Sequence, residues 1–430
     1  MRRIITKRTL QSAALASARY ILDNQASFTN ETALPVFVGN SYSTVVRYGW
    51  NTLSVLDRSS FKTGGDVVVG EQSGTNALEV AGGSSFLCDG ILTVGDSKGG
   101  AGNSATVRDG ATADAKNGLR IGYGGSGSAS SDNALLVSNA TLSVKEIVTL
   151  GVYSKALARD NRLQVLEDGL LRLEDSTEGR VIVGDSGDCN QLLVRGGTLW
   201  ATNRIFIAGN NGSGCEAVVD GGTFALTNGV DSTYPFVTIG YYASSNRCIV
   251  RNGGQVRVCS TGSRSGQNPL GTLIGYAEGA TDSLLVISNG ASWVQTAVPG
   301  EKSLFSIGYK GANSGCLVDN GSLGVSADAG TGSMIAHLGE FQAASNCWLH
   351  IRNGSNVKLS RMIVSDNGTS QNNEIVVEDS IADFGQFQYP TLKTGMDRIP
   401  NRFIVSGATT QVKATSILPS IRLSVEAPKD

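Results

Sequence analysis

Three tyrosines, Tyr241, Tyr276 and Tyr309, each close an aliphatic-glycine signature: "TIGYY", "LIGYA" and "SIGYK". Phenol rings set one structural step apart could form a platform for sugar rings. They could equally be an aromatic stack that stiffens a turn, and residue type alone favours the stack. Arg264 and Lys302 lie in polar segments nearby and would add hydrogen-bond donors. These segments, residues 228–235, 260–271, 295–303 and 326–333, are longer than their counterparts elsewhere. Equivalent long loops of a repeat protein emerge from one edge and make its binding face.

Other chemistry is thinner. Glycan-cleaving enzymes work with carboxylates, and Asp109, Asp168, Asp220 and Asp319 all fall in one recurrent turn. Asparagine replaces them at the equivalent place in other repeats, so a turn role is the plainer reading. Glu71 and Asp96 each follow a glycine and would stack one repeat apart, where two like charges could share a cation. Histidine occurs twice, as His337 and His350, which excludes a multi-histidine metal centre. Seven cysteines form no CxxC pair. Cys248 and Cys316 fall at inward positions and read as small apolar residues. Cys189 and Cys215 are the one pair spaced to bridge, and the odd total argues against a disulfide framework. No metal or cofactor is implied.

Positioning falls to a repeat. Val55, Val80, Val107, Val137, Val165 and Val194 open a series that Val219, Val250, Ile287, Val318, Ile351, Val377 and Val405 complete. These landmarks recur about every 29 residues, a solenoid period. Two positions earlier every residue is apolar, from Leu53 and Leu78 to Ile375 and Phe403. Period-two spacing puts both columns on one face of a strand. Two positions before that, nine of thirteen residues are asparagine, including Asn51, Asn133 and Asn190. This column is expected to line a tight bend, each amide bonding its neighbour's amide or a turn carbonyl.

Each unit then repeats a turn such as "DGG" or "NGG", where positive φ is needed. A second strand follows, with Leu142, Leu171, Leu199, Phe224, Val256, Trp293, Leu323 and Val357 pointing inward. A third strand ends in glycine at Gly70, Gly95, Gly122, Gly184, Gly240, Gly275 and Gly308. Three short strands cannot bury a face alone, whereas stacked units can. The expected fold is all-β: a single-stranded, right-handed parallel β-helix with three faces and about thirteen coils. Residues 1–39 would form an N-terminal cap with a short helix, in which Leu10, Ala13, Ala14, Ala18, Ile21 and Leu22 share one side. Residues 40–412 would be the β-helix and 413–430 a C-terminal cap or tail.

Composition agrees with many turns joined by short strands: glycine is 55 of 430 residues and 40% are hydrophobic. A net charge of −2 supplies no basic field for nucleic acid. No apolar run reaches the roughly 18 residues that a membrane-spanning helix needs.

"NALLVSNATLSV", "NQLLVRGGTLWA", "VVDGGTFALTN" and "LLVISNGASW", each followed by "IG" or "VG", resemble the autotransporter and PEP-CTERM-associated repeat of bacteria. The resemblance covers about residues 40–412. It implies a β-helical, secreted or cell-surface module and brings no catalytic residues. The C-terminal "SILPSIRLSVEAPKD" departs from that pattern, being neither a membrane barrel nor a sorting helix with a basic tail. The expected function is non-enzymatic, structural or adhesive. A glycan or surface protein would bind the loop-rich edge of the seventh to tenth repeats through Tyr241, Tyr276, Tyr309, Arg264 and Lys302. A polysaccharide lyase or glycoside hydrolase, and a subunit of a trimeric fibre or tail spike, are the alternatives.

Overall fold

The computed structural model describes residues 19–418 apart from 40–49, 97–99, 125–128, 153–157, 175–178, 202–203, 208–210, 227–236, 261–270, 298–301, 328–332, 342, 366–369 and 389–400. Among the described residues every regular element is a β-strand. Among these residues no helix is long and apolar enough to cross a membrane. The chain forms two units, Met1–Thr202 with Asn211–Cys215, and Asn203–Asn210 with Glu216–Asp430. Each is a parallel β-solenoid, whose strands pair with their equivalents about one repeat along the chain.

Within each unit the strands sort into three parallel ladders, which take their members in rotation. The aliphatic landmarks lie in the first. In the N-terminal unit Val107 pairs with Val80 and Val137, and Val165 with Val137 and Val194. In the C-terminal unit Val250 pairs with Val219 and Ile287, and Ile351 with Val318 and Val377. The second ladder stacks Leu142, Leu171 and Leu199 in one unit and Phe224, Val256, Trp293, Leu323 and Val357 in the other. All eight are buried, as period-two alternation requires. Phe28, Phe61 and Phe86 add an inward aromatic pile, with ring centroids 5.0 and 5.2 Å apart.

Turn chemistry follows the residue types. The turn between the first two strands takes positive φ at Asp109 and Gly110, and at Asn252 and Gly253. Glycine has no Cβ to clash there, and Asn and Asp tolerate the same region. Where glycine ends a third strand it is also left-handed, with φ of 79° at Gly95 and 70° at Gly308, and Ser365 takes the same region after Val364.

One expectation needs correction, and one inward residue adds to the picture. Residues 1–18 of the expected helical cap lie outside the described residues, but its last four, Arg19–Leu22, form a strand. That strand pairs with Thr52–Val55, so the stack extends one repeat further back than the landmark series. Ser27–Asn30 and Val36–Val38 complete the added repeat. The interior is also not uniformly apolar. Gln295 sits inward in register between Val258 and Val325 and is fully buried. Its Oε1 accepts from Thr272 Oγ1 at 2.7 Å, and its Nε2 donates to Ser303 Oγ at 2.8 Å and Leu304 O at 2.9 Å. The buried amide is therefore satisfied on both ends, which is the condition for tolerating it.

Candidate functional site

Tyr241, Tyr276 and Tyr309 do come together. Each follows a left-handed glycine at the end of a third-ladder strand, so equivalent backbone places the rings one above another. Tyr241 and Tyr276 stack at 4.4 Å between centroids with planes 11° apart. Tyr276 and Tyr309 stack at 5.3 Å and 3°. Phe341 continues the series edge-on to Tyr309 at 4.8 Å. Tyr241 and Tyr309 are buried and Tyr276 is half-buried.

The rings fold back over the outer side of the third ladder. Thr238, Leu273, Ser306 and His337 share one outward column there, yet all four are buried. Leu273 and Leu304 pack with Tyr309, with Tyr276, Ile335 and Phe341 against them. Ser306 Oγ donates to Glu340 Oε2 at 3.1 Å, and His337 Nδ1 lies 3.9 Å from the same oxygen. Burial, followed by the charge of Glu340, pushes the Tyr309 phenol up to about 12. Burial, followed by the neighbouring phenols, also raises Tyr241. Both hydroxyls therefore stay protonated near neutral pH.

This geometry limits what the trio can bind. A sugar ring recognised by an aromatic residue needs a ring face. Here the faces of the three tyrosines are turned mainly to each other, which leaves mostly edges. The accessible groups sit at the rims, where sequence reasoning did not look. Tyr242 is 52% exposed and meets Tyr241 edge-on at 4.5 Å. Lys310 Nζ lies 5.9 Å from the Tyr309 centroid and 5.4 Å from that of Phe341, within cation–π range. The doubled tyrosine in "GYYA" and the lysine in "GYKG" are the signals that could have found them. Arg264 lies outside the described residues. Lys302 opens the strand Lys302–Ile307, opposite Ser333.

In the N-terminal unit the asparagine column behaves as expected. Asn133 Oδ1 accepts from the Asn103 backbone N–H at 3.0 Å and from Asn103 Nδ2 at 3.1 Å. Asn161 Oδ1 does the same for Asn133, and Asn190 Oδ1 for Asn161. Asn190 Nδ2 ends the run on the Gly187 carbonyl at 2.7 Å. Each amide also presses on the strand-ending glycine one repeat back. A Cβ on Gly95 would fall 2.3 Å from Asn133 Cγ. Asparagine and glycine thus specify each other across the bend.

Two of the turn carboxylates, Asp220 and Asp319, are engaged by the following repeat. Asp220 takes Arg251 at 3.1 Å and Asn252 at 2.8 Å. Asp319 takes Arg352 at 2.8 Å and Asn353 at 2.6 Å. Cys189 and Cys215 do not bridge, and all seven cysteines are free thiols. Five of them are buried. Among the described residues no group of three or more His, Cys, Asp or Glu side chains could hold a metal ion. Comparison of the chain with protein-family models, with curated proteins and with solved structures finds no match.

Proposed function

We propose that the chain is a right-handed, three-faced parallel β-helix of about thirteen landmark repeats. It works outside the cell as a non-enzymatic structural or adhesive module of the autotransporter and PEP-CTERM-associated type. One observation carries the reading. The polar groups that recur along the chain are spent on the next repeat. Amides bond amides, and the carboxylates of Asp220 and Asp319 bond Arg and Asn one repeat on. A hydrolase or lyase needs such groups converging on a substrate instead. The right-handed sense rests on the general preference of parallel crossovers.

Display falls to the edge that carries the aromatic stack. Its accessible rims, Tyr242 and Lys310, offer a ring and a cation to a glycan or a surface protein. Arg264 and Lys302 are the further donors that the sequence offers to such a ligand. The test is a binding screen against glycans and extracellular-matrix proteins, run beside a polysaccharide-depolymerisation assay. The wild type is expected to bind, and a Tyr242→Ala/Lys310→Ala variant to lose binding while staying folded. Depolymerisation of any polysaccharide would overturn the reading.

A further inference from the structure

The outer side of the first ladder in the C-terminal unit carries a pattern the fold does not need. Its central column runs Ile249, Val286, Leu317, His350, Val376 and Ile404, all half-buried and all but one aliphatic. Val218 heads the column and is already covered. The corresponding column of the N-terminal unit is mixed, with Glu79, Thr106, Leu136 and Gln164. A solvated sheet face alternates polar residues outward, so an outward aliphatic stripe marks a surface that is covered.

The flanking columns say by what. One runs Glu216, Arg247, Leu284, Gly315, Trp348, Glu374, Arg402. Reversed about Gly315, this column is its own complement. Glu216 meets Arg402, Arg247 meets Glu374, and Leu284 meets Trp348. The other flank, reversed about Asp319, sets Arg251 against Glu378. Asp319 meets its own copy with its charge already held by Arg352 and Asn353. We propose that this face docks on the same face of a second copy of the chain. The two run antiparallel about a twofold axis at the strand Gly315–Asp319.

The alternatives are worse on charge. A parallel pair of the same faces would set Glu216 against Asp220, Arg247 against Arg251 and Glu374 against Glu378. Moving the antiparallel axis by one strand leaves Arg402 on Leu284, or Glu216 on Trp348. Complementary charge fixes register and orientation in this way, and like charges opposed cost several kcal/mol.

The centre is built for close approach. The Trp348 indole lies across Gly315, where a Cβ would fall 2.2 Å from the ring. His350 supports the indole at 4.6 Å between centroids. At the twofold axis the two indoles meet over paired glycines, and tryptophan at the middle of an interface is a typical energetic anchor. Glu374 already holds Arg402 at 3.0 Å and His350 at 3.0 Å within its own chain. The partner's Arg247 joins that cluster. With strands about 4.8 Å apart and ~3.3 Å per residue, the flat footprint is on the order of 400 Å² per copy. That is the low end for a specific interface, so the dimer is weak and concentration-dependent.

Sedimentation velocity on the full chain over a concentration series tests this. The wild type is expected to show a reversible monomer–dimer equilibrium. Arg247→Glu should weaken dimerisation at least about tenfold, because it opposes Glu374 twice in each dimer. Leu317→Lys, at the axis, should leave only monomer. Circular dichroism confirms that both variants fold. Adding Glu374→Arg to Arg247→Glu should restore the dimer, a rescue that antiparallel pairing alone predicts. A wild type that stays monomeric, or forms trimers, overturns the proposal. So does a dimer indifferent to Arg247→Glu, or one that the double variant fails to restore.

Discussion

The same bend is held by different means in the two units. In the N-terminal unit Asn51, Asn76, Asn103, Asn133, Asn161 and Asn190 follow one another without a gap, and each of the first five bonds the next through backbone and side chain. In the C-terminal unit the column reads Asn246, Ser283, Ser314, Cys347, Asn373, Asn401. Ser283 and Ser314 reach local carbonyls at 3.5 and 3.4 Å. Cys347 Sγ reaches carbonyls at 3.6 Å and takes a backbone hydrogen bond from Ser314. The glycines facing these three short side chains are Gly240, Gly275 and Gly308, the ones followed by Tyr241, Tyr276 and Tyr309. At these three positions the aromatic stack runs where the amide ladder lapses. A directional polar device and a broad apolar one do the same work, tying each repeat to the next. The tyrosines, whose sequence offered either a sugar platform or a stiffening stack, are in this light the substitute for an amide ladder.

The deepest cut at the comparison is through what the units share. Val137→Asp in one unit and Val250→Asp in the other each place a charge at a fully buried position. Each should cost several kcal/mol and abolish cooperative unfolding in urea. If either variant melts like the wild type, that column is not a common core. Next comes the amide ladder. Asn133→Ala strands two donors of Asn103 and should cost about 3 kcal/mol, whereas Ser314→Ala should cost under about 1 kcal/mol. Equal urea midpoints for the two would erase the distinction between the units.

The aromatic stack gives a smaller contrast. Tyr276→Ala loses two stacking partners and should cost about 2 kcal/mol beyond its neighbours' repacking. Tyr123, at the equivalent place after Gly122, is half-buried and touches Arg120 at 4.8 Å. Tyr123→Ala should cost no more than about 1 kcal/mol. The finest test is pH. Burial pushes the Cys347 thiol up to about 12 from 9.0. A thiol whose pKa is raised on folding adds stability that is whole below pH 9 and is lost as pH rises toward 12. An amide does not titrate. Cys347→Asn should therefore flatten the alkaline limb of the stability curve. Near neutral pH it should add about 1 kcal/mol by giving the Ser314 N–H an amide oxygen, a stronger acceptor than the thiol that now takes it. A steeper limb would mean the thiol is not the titrating group.

Much of this was legible in the residues. Apolar side chains at period two and asparagine at one fixed offset leave a single register that satisfies both. The structure pairs Leu78 with Ala105, and Val80 with Val107, in that register. The added N-terminal repeat was less legible. It lacks the asparagine and the Asn-Gly turn, and "VFVG" ending at Gly39 is its main signature. Gln295 could not be found by pattern, because a polar residue inside is allowed only by Thr272 and Ser303, which approach it from another ladder. The tyrosines were correctly set in one column. Their orientation follows from the left-handed glycine before each, and no spacing rule encodes which way a ring then turns.

The account stands on repeats lying directly over one another in a fixed register, and cysteine pairs measure that register. Thr106 and Leu136 are outward partners in adjacent strands, and Gln164 is one strand further. Adjacent parallel strands bring Cα atoms about 4.8 Å apart, within disulfide reach, while two strands apart is ~9.6 Å and beyond it. Peptide mapping after mild oxidation should find the cross-link in Thr106→Cys/Leu136→Cys and none in Thr106→Cys/Gln164→Cys. A cross-link in the second variant and not the first would contradict the stacking on which every other statement depends.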